Sequence, residues 1–228
     1  MPSLSKNSSI EDYQRFVKDV YGLPNDRHFG MWDMMSNVER FTMRALKGIR
    51  KQDNEKTKTN LLIATSWFMS TMNRLHINVE DAVWRHFPLV CSYCESSPCK
   101  CASQKDVPRR LLESRPTAKP SSINEFQKMF DQIYPHGSRT IEHAGVHLAE
   151  ELGELSEALL AYEGRHDDND FHAIELEAAD FFSCIAGVFN SLEISMSAEL
   201  ARRFENNCHV CRHAPCTCSF SSIVEFKS

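Results

Sequence analysis

Leucine recurs at three- and four-residue intervals through the second half of the chain. Leu148, Leu152, Leu155 and Leu159, followed by Tyr162, form one apolar stripe. That period predicts an amphipathic helix over about 140–163, with Gly164 as its C-cap. Upstream, Ser122 is placed to N-cap a helix that runs to about Tyr134 and is stopped by Pro135 and Gly137. A third helix is expected over about 171–192, after the polar loop 165–170, and a fourth from near Ser197 to just before Cys208. No stretch sustains the alternation of a strand, and only 8 glycines interrupt 228 residues. The chain therefore reads as all-α, and helical hairpins of this length pack as bundles.

The same pattern occurs twice. Cys91, Cys94, Cys99 and Cys101 have the spacing C-x-x-C-x4-C-x-C, and Cys208, Cys211, Cys216 and Cys218 repeat it 117 residues later. Ser66, Asn73, Leu75 and Phe87 match Ser183, Asn190, Leu192 and Phe204 at that offset; further upstream Tyr13-Gln14 and Tyr21 match Phe126-Gln127 and Tyr134 at an offset of 113. The reading is a tandem duplication with copies at 8–101 and 121–218, each ending in a four-cysteine tail and joined by a Pro-containing linker at 102–120.

A net charge of −5 gives no reason to expect a polyanion-binding surface, so nucleic acid is not expected as a partner. The N-terminus lacks a signal-peptide apolar segment and no window reaches the length of a membrane span, so a soluble, cytoplasmic protein without membrane contact is expected. In a reducing compartment, four cysteines within 11 residues read as metal ligands, and a set of four thiolates suits structural Zn²⁺. An iron–sulfur cluster, disulfides or free thiols compete with that assignment. His209 and His213 have no counterparts in the first cluster, where Ser92 and Ser96 stand, and are not expected to be essential ligands. Cys184, in an apolar helix, reads as a small buried hydrophobe.

The second copy also carries an acidic constellation. Glu150-Glu151-Leu152-Gly153-Glu154 is followed by Glu177-Ala178-Ala179-Asp180. Each pair, Glu151/Glu154 and Glu177/Asp180, lies one turn apart on a helix face. Taken alone, the first pair reads as a solvated acidic face, since charge runs on helices are usually exposed. Asp180, inside an apolar helix, is costly to bury unless paired or metal-bound. If the two helices are antiparallel neighbours, the carboxylates converge and a hard divalent cation, Mg²⁺ or Mn²⁺, relieves their repulsion.

E-E-x-x-E followed after such a spacer by E-x-x-D resembles the signature of the all-α NTP pyrophosphatases, the superfamily of MazG and the dimeric dUTPase and dCTPase proteins. The resemblance spans about 142–207. It implies a MazG-like helical bundle of paired subunits that hydrolyses a nucleoside triphosphate, NTP or dNTP, to the monophosphate and pyrophosphate. Carried over by position, Glu151, Glu154, Glu177 and Asp180 would be the magnesium ligands, and Glu150 would orient or deprotonate the attacking water. Asn190, Arg203 and Asn207 fall where the family has substrate-contacting residues, with Arg203 in place of a Lys.

The first copy has lost these acids. Val38 and Phe41 stand at the positions of Glu151 and Glu154, and Asn60 and Ile63 at those of Glu177 and Asp180. It is expected to be a degenerate repeat that packs on the second as an internal pseudo-dimer, which is either complete or pairs again as a homodimer. Trp32, Trp67 and Trp84 are read as core residues or as base stackers. His143 and His147 stand at i, i+4 without the H-E-x-x-H pattern and read as an ordinary helix face; no P-loop is present. The competing function is a non-catalytic, zinc-stapled helical module that binds a nucleotide or a protein.

Overall fold

The computed structural model describes residues 2–101 and 118–226; most of the linker read at 102–120 lies outside the described residues. Among the described residues there are helices and turns and no strand. The α-helices are α1 (Ile10–His28), α2 (Met31–Arg50), α3 (Asn54–Arg74), α4 (Val79–His86), α5 (Ile123–Ile133), α6 (Ile141–Arg165), α7 (Asp168–Ser191), α8 (Met196–Arg203) and α9 (Phe220–Val224). Among the described residues no single helix is long and apolar enough to cross a membrane.

Short polar side chains start these helices by accepting from the exposed first-turn N–H groups. Ser9 and Asp12 form a reciprocal capping box on α1, at 2.9 and 3.0 Å. Ser122, Thr140 and Asp167 accept from Glu125, His143 and Asp170 at the starts of α5, α6 and α7. Two boundaries differ from the sequence pattern. Gly164 lies inside α6, and His166 ends the helix in the left-handed region at φ 55°. Asp167 then caps α7 at once, so the second half of the polar stretch expected as a loop is the first turn of the next helix.

The chain divides into two compact units: unit 1 is Met1–Asn78 with Met196–Ser228, and unit 2 is Val79–Ser195. Unit 1 thus combines α1, α2 and α3 with α8, the second cysteine cluster and α9. Unit 2 combines α5, α6 and α7 with α4 and the first cysteine cluster. Each unit takes its fourth helix and cysteine segment from the other of the two stretches, 8–101 and 121–218, that the cysteine spacing marks out.

The central helix of each unit is buried on nearly all sides: Leu61, Ile63, Phe68 and Met72 on α3, and Ile174, Phe181, Phe182, Ile185 and Phe189 on α7 are all fully enclosed. Each such side chain contributes roughly 1.5–3 kcal/mol by leaving water. The hydroxyls buried with them on α3 are satisfied locally, Thr65, Ser66, Ser70 and Thr71 donating to carbonyls one turn back.

The same ties recur in both units at matched positions. In unit 1, Gln14 Nε2 donates to the Ile77 carbonyl at 2.6 Å and Asn73 Nδ2 to the Gln14 carbonyl at 3.0 Å. In unit 2, Gln127 Nε2 donates to the Ile194 carbonyl at 2.9 Å and Asn190 Nδ2 to the Gln127 carbonyl at 3.1 Å. The Cys216 N–H donates to the Val20 carbonyl in unit 1, and the Cys99 N–H to the Ile133 carbonyl in unit 2, both at 2.7 Å.

Candidate functional site

Helices α6 and α7 are joined by only two residues, which forces an antiparallel hairpin. Glu151 lies 14 residues before the end of α6, and Asp180 lies 12 after the start of α7. At 1.5 Å per residue these heights above the turn are about 21 and 18 Å, so the two carboxylates face each other across the hairpin. Glu177 sits one turn below Asp180. One carboxylate oxygen from each of Glu151, Glu177 and Asp180 lies within 4.8 Å of the others. Glu177 and Asp180 are buried, at 8% and 6% exposure.

Three of the four carboxylates expected as ligands therefore meet. Glu154, one turn on from Glu151, is exposed and outside the converging group, and Glu150 is exposed beside it. Cys184, one turn past Asp180, is kept protonated: burial, then the Glu151 carboxylate, push its thiol well above the ordinary range.

Two residues that the sequence pattern did not single out pack against α7: His86 beside Asp180, and Arg139 beside Gly187, about two turns further on. His86, at the end of α4 and 94 residues from Asp180, places Nε2 3.2 and 3.1 Å from the two Asp180 oxygens, both side chains being buried. A second tie between these helices is the Arg85–Glu175 ion pair at 2.7 Å. Arg139, in the turn before α6, lays its guanidinium against Gly187 of α7, where any Cβ would collide with it. Its Nε is buried without a hydrogen-bond partner. The positive charge is felt by Cys184 and by His147, whose ring is kept neutral by burial first and then by His143, with Arg139 adding to the effect.

Of the three residues expected to contact substrate, Asn190 lies on α7 and the other two follow from α8 onward. The Asn190 amide is taken up by Gln127, accepting from its Nε2 at 2.9 Å and donating to its carbonyl. Arg203 and Asn207 belong to unit 1, where the Arg203 Nε and the Asn207 Oδ1 are buried without hydrogen-bond partners. Of the tryptophans, Trp67 packs edge-on against Phe29 at 5.2 Å, and Trp32 is exposed.

Each cysteine quartet gathers four sulfurs within 4.8 Å. The Cys91–Cys101 and Cys94–Cys99 separations are 3.6 and 3.9 Å; those of Cys208–Cys218 and Cys211–Cys216 are 3.9 and 3.8 Å. A tetrahedron with Zn–S bonds of about 2.3 Å has edges of about 3.8 Å, whereas a disulfide needs about 2.05 Å. Both quartets can hold zinc. Main-chain N–H groups point at the sulfurs, as thiolates require: Lys100 to Cys94 and Thr217 to Cys211, both at 3.3 Å. Burial would raise the Cys94 thiol, but the Lys100 and Ser96 N–H groups more than offset it and hold it at about 6. Hydrogen bonding from Cys216, working against burial, holds Cys208 down to about 4.

No protein-family model matches this chain, and neither does any curated protein or solved structure. What can be said of its chemistry therefore rests on its own residues.

Proposed function

We propose that unit 2 carries a metal-dependent site that hydrolyses a nucleoside triphosphate to the monophosphate and pyrophosphate. The observation that carries this reading is the convergence of Glu151, Glu177 and Asp180 on one buried spot from two helices. Oxygen ligands bind hard divalent cations at about 2.0–2.6 Å, so a separation within 4.8 Å fits a shared ion. These three residues would hold Mg²⁺ or Mn²⁺, which when bound neutralises phosphate oxygens and activates water. His86 orients the Asp180 carboxylate by hydrogen bonding. Glu150 is the exposed carboxylate available to take a proton from water. Arg139, half-buried against Gly187, supplies a cation for the phosphates, and its Nε has donor capacity to spare.

The repeated ties around Gln14 and Gln127 support reading the two repeats as an internal pseudo-dimer, with unit 1 lacking acids at the matching positions. A fragment of residues 118–226 would have to replace α4 by its own α8, or exchange α8 with a second copy. We expect it to be dimeric by light scattering; a monomer of full activity would sink the pseudo-dimer.

The deciding experiment is pyrophosphate release from a panel of canonical and modified NTPs and dNTPs, with and without Mg²⁺ or Mn²⁺. Metal-dependent turnover supports the enzyme; none on any nucleotide leaves the non-catalytic module, for which the His86–Asp180 pair already offers a partner to one buried acid.

The role of Arg139 is separable from stability. Arg139→Ala is expected to raise KM by about 10–100-fold, the worth of a charged hydrogen bond of roughly 1.5–3 kcal/mol. Gly187→Ala should do the same by pushing the guanidinium aside, while helix propensity favours Ala by about 1 kcal/mol. A raised KM with an unchanged or higher Tm is the expected pairing. An unchanged KM in both variants would remove Arg139 from the site.

A further inference from the structure

The positions that hold acids in unit 2 hold something different in unit 1. Phe41 and Ile63, which stand where Glu154 and Asp180 do in the other repeat, form an apolar cluster with Ala64, and Trp67 and Phe226 pack against it. Phe226, just beyond α9, sits 6.3 Å from the Phe41 ring and 5.1 Å from that of His209. Tyr21 joins these side chains in lining the cavity that remains, about 50 Å³. A cavity that takes up benzene is closer to about 150 Å³, so the space is closed to a ring while Phe226 is seated.

Two cations stand over this cluster. The guanidinium carbons of Arg40 and Arg44 lie 4.9 and 5.3 Å from the centroid of the Phe41 ring. Both donate to one acceptor, the Phe226 main-chain carbonyl, at 2.7 and 3.1 Å. Arg40 also donates to Asn37 Oδ1 at 3.3 Å. Among the described residues neither arginine has a carboxylate partner. A carbonyl oxygen has lone pairs for two donors but no charge to neutralise them. Like charges at i, i+4 on a helix repel, so the pair is electrostatically unbalanced.

Phe226 therefore offers a ring to an aromatic pocket and an oxygen to two arginines. We propose that this cleft of unit 1 is a binding site for a small molecule that joins a flat ring to a phosphate, the chemistry of a nucleoside monophosphate, and that Phe226 occupies it in the ligand's absence. The ring would replace that of Phe226 against Phe41 and His209. The phosphate would replace the carbonyl and give the arginines a full counter-charge, in the forked geometry that guanidinium groups favour. The inference does not depend on catalysis in unit 2.

The test is calorimetric titration of the full chain with AMP, adenosine and inorganic phosphate. It is run without added Mg²⁺ and in a Glu177→Gln/Asp180→Asn background, so that unit 2 does not contribute. One AMP per chain is expected, with adenosine and phosphate each weaker. Phe226→Ala removes the competing ring, and with it the anchor that holds the carbonyl at the arginines, and should tighten AMP by about tenfold. Arg40→Gln/Arg44→Gln should weaken it by about tenfold or more, with Arg40→Lys/Arg44→Lys in between. Retained zinc content and circular dichroism certify the fold of each variant. No binding of AMP to Phe226→Ala, equal binding of adenosine and AMP, or binding indifferent to the arginine substitutions would each overturn the proposal.

Discussion

Glu177→Gln combined with Asp180→Asn is expected to lower metal-dependent pyrophosphate release by about 10³-fold or more, because it removes two of three converging ligands. The same variant should be no less stable than the parent in the absence of divalent cation. Three carboxylates held within 4.8 Å repel one another, and neutral amides of the same shape relieve that repulsion. Adding Mg²⁺ should separate the two proteins. A ligand at 100 times its Kd stabilises the folded state by about 2.7 kcal/mol, which for a chain of this size is a Tm rise of roughly 5–11 °C. The parent should show that rise and the variant should not. Glu154→Gln, altering an exposed carboxylate outside the group, should cost far less activity. Equal losses from Glu154→Gln and from the double variant would mean that the geometry of the trio is not what matters. Activity that survives the double variant would remove the Glu151–Glu177–Asp180 trio from the catalytic site.

What could be read from the sequence was local or periodic. The cysteine spacing places four sulfurs in one short loop whatever the surrounding fold, and both quartets close as expected. The carboxylate pairs at i, i+3 and the leucine stripe set which faces of α6 and α7 meet, and the short turn sets the height at which they do. The exchange of fourth helices could not be read this way. Matched positions in two repeats offer the same partners, so Ile77 or Ile194, and α4 or α8, satisfy the same pattern of contacts. Which copy of a segment packs on which hairpin is decided by the chain between them, not by residue type. His86 escaped notice for that reason: it belongs to the first repeat by sequence and to unit 2 by packing. At offset 117 its counterpart is Arg203, which is how a residue expected at the acids came to lie in the other unit. Arg139 had one usable signal, Gly187 in the middle of an apolar helix, since a missing side chain there marks a close neighbour.

Cys216→Ser is expected to be the most destabilising single substitution in unit 1. The segment between α8 and α9 has no regular secondary structure, and its enclosed side chains are few, Phe204, Cys208 and Cys216 among them. Such a segment cannot be held by its own apolar burial. What fixes it is the sulfur quartet, the Cys216 N–H bond to the Val20 carbonyl at 2.7 Å, and Tyr21 beside His209. Structural zinc supplies about 10–16 kcal/mol of binding free energy in small zinc-folded peptides, comparable with the whole stability of a domain. Losing one ligand of four should forfeit at least about 3 kcal/mol, a Tm decrease of roughly 6–12 °C. Native mass spectrometry should count two zinc ions on the parent and one on Cys216→Ser, because the first quartet lies in the other unit. Amide exchange should quicken at Cys216 and across 208–226, the segment that carries Phe226 to its pocket, while Cys99 keeps its protection. If the parent holds no zinc, or if Cys216→Ser unfolds no more readily than the exposed-site control Thr217→Ser, the quartets are not the staples that their geometry suggests.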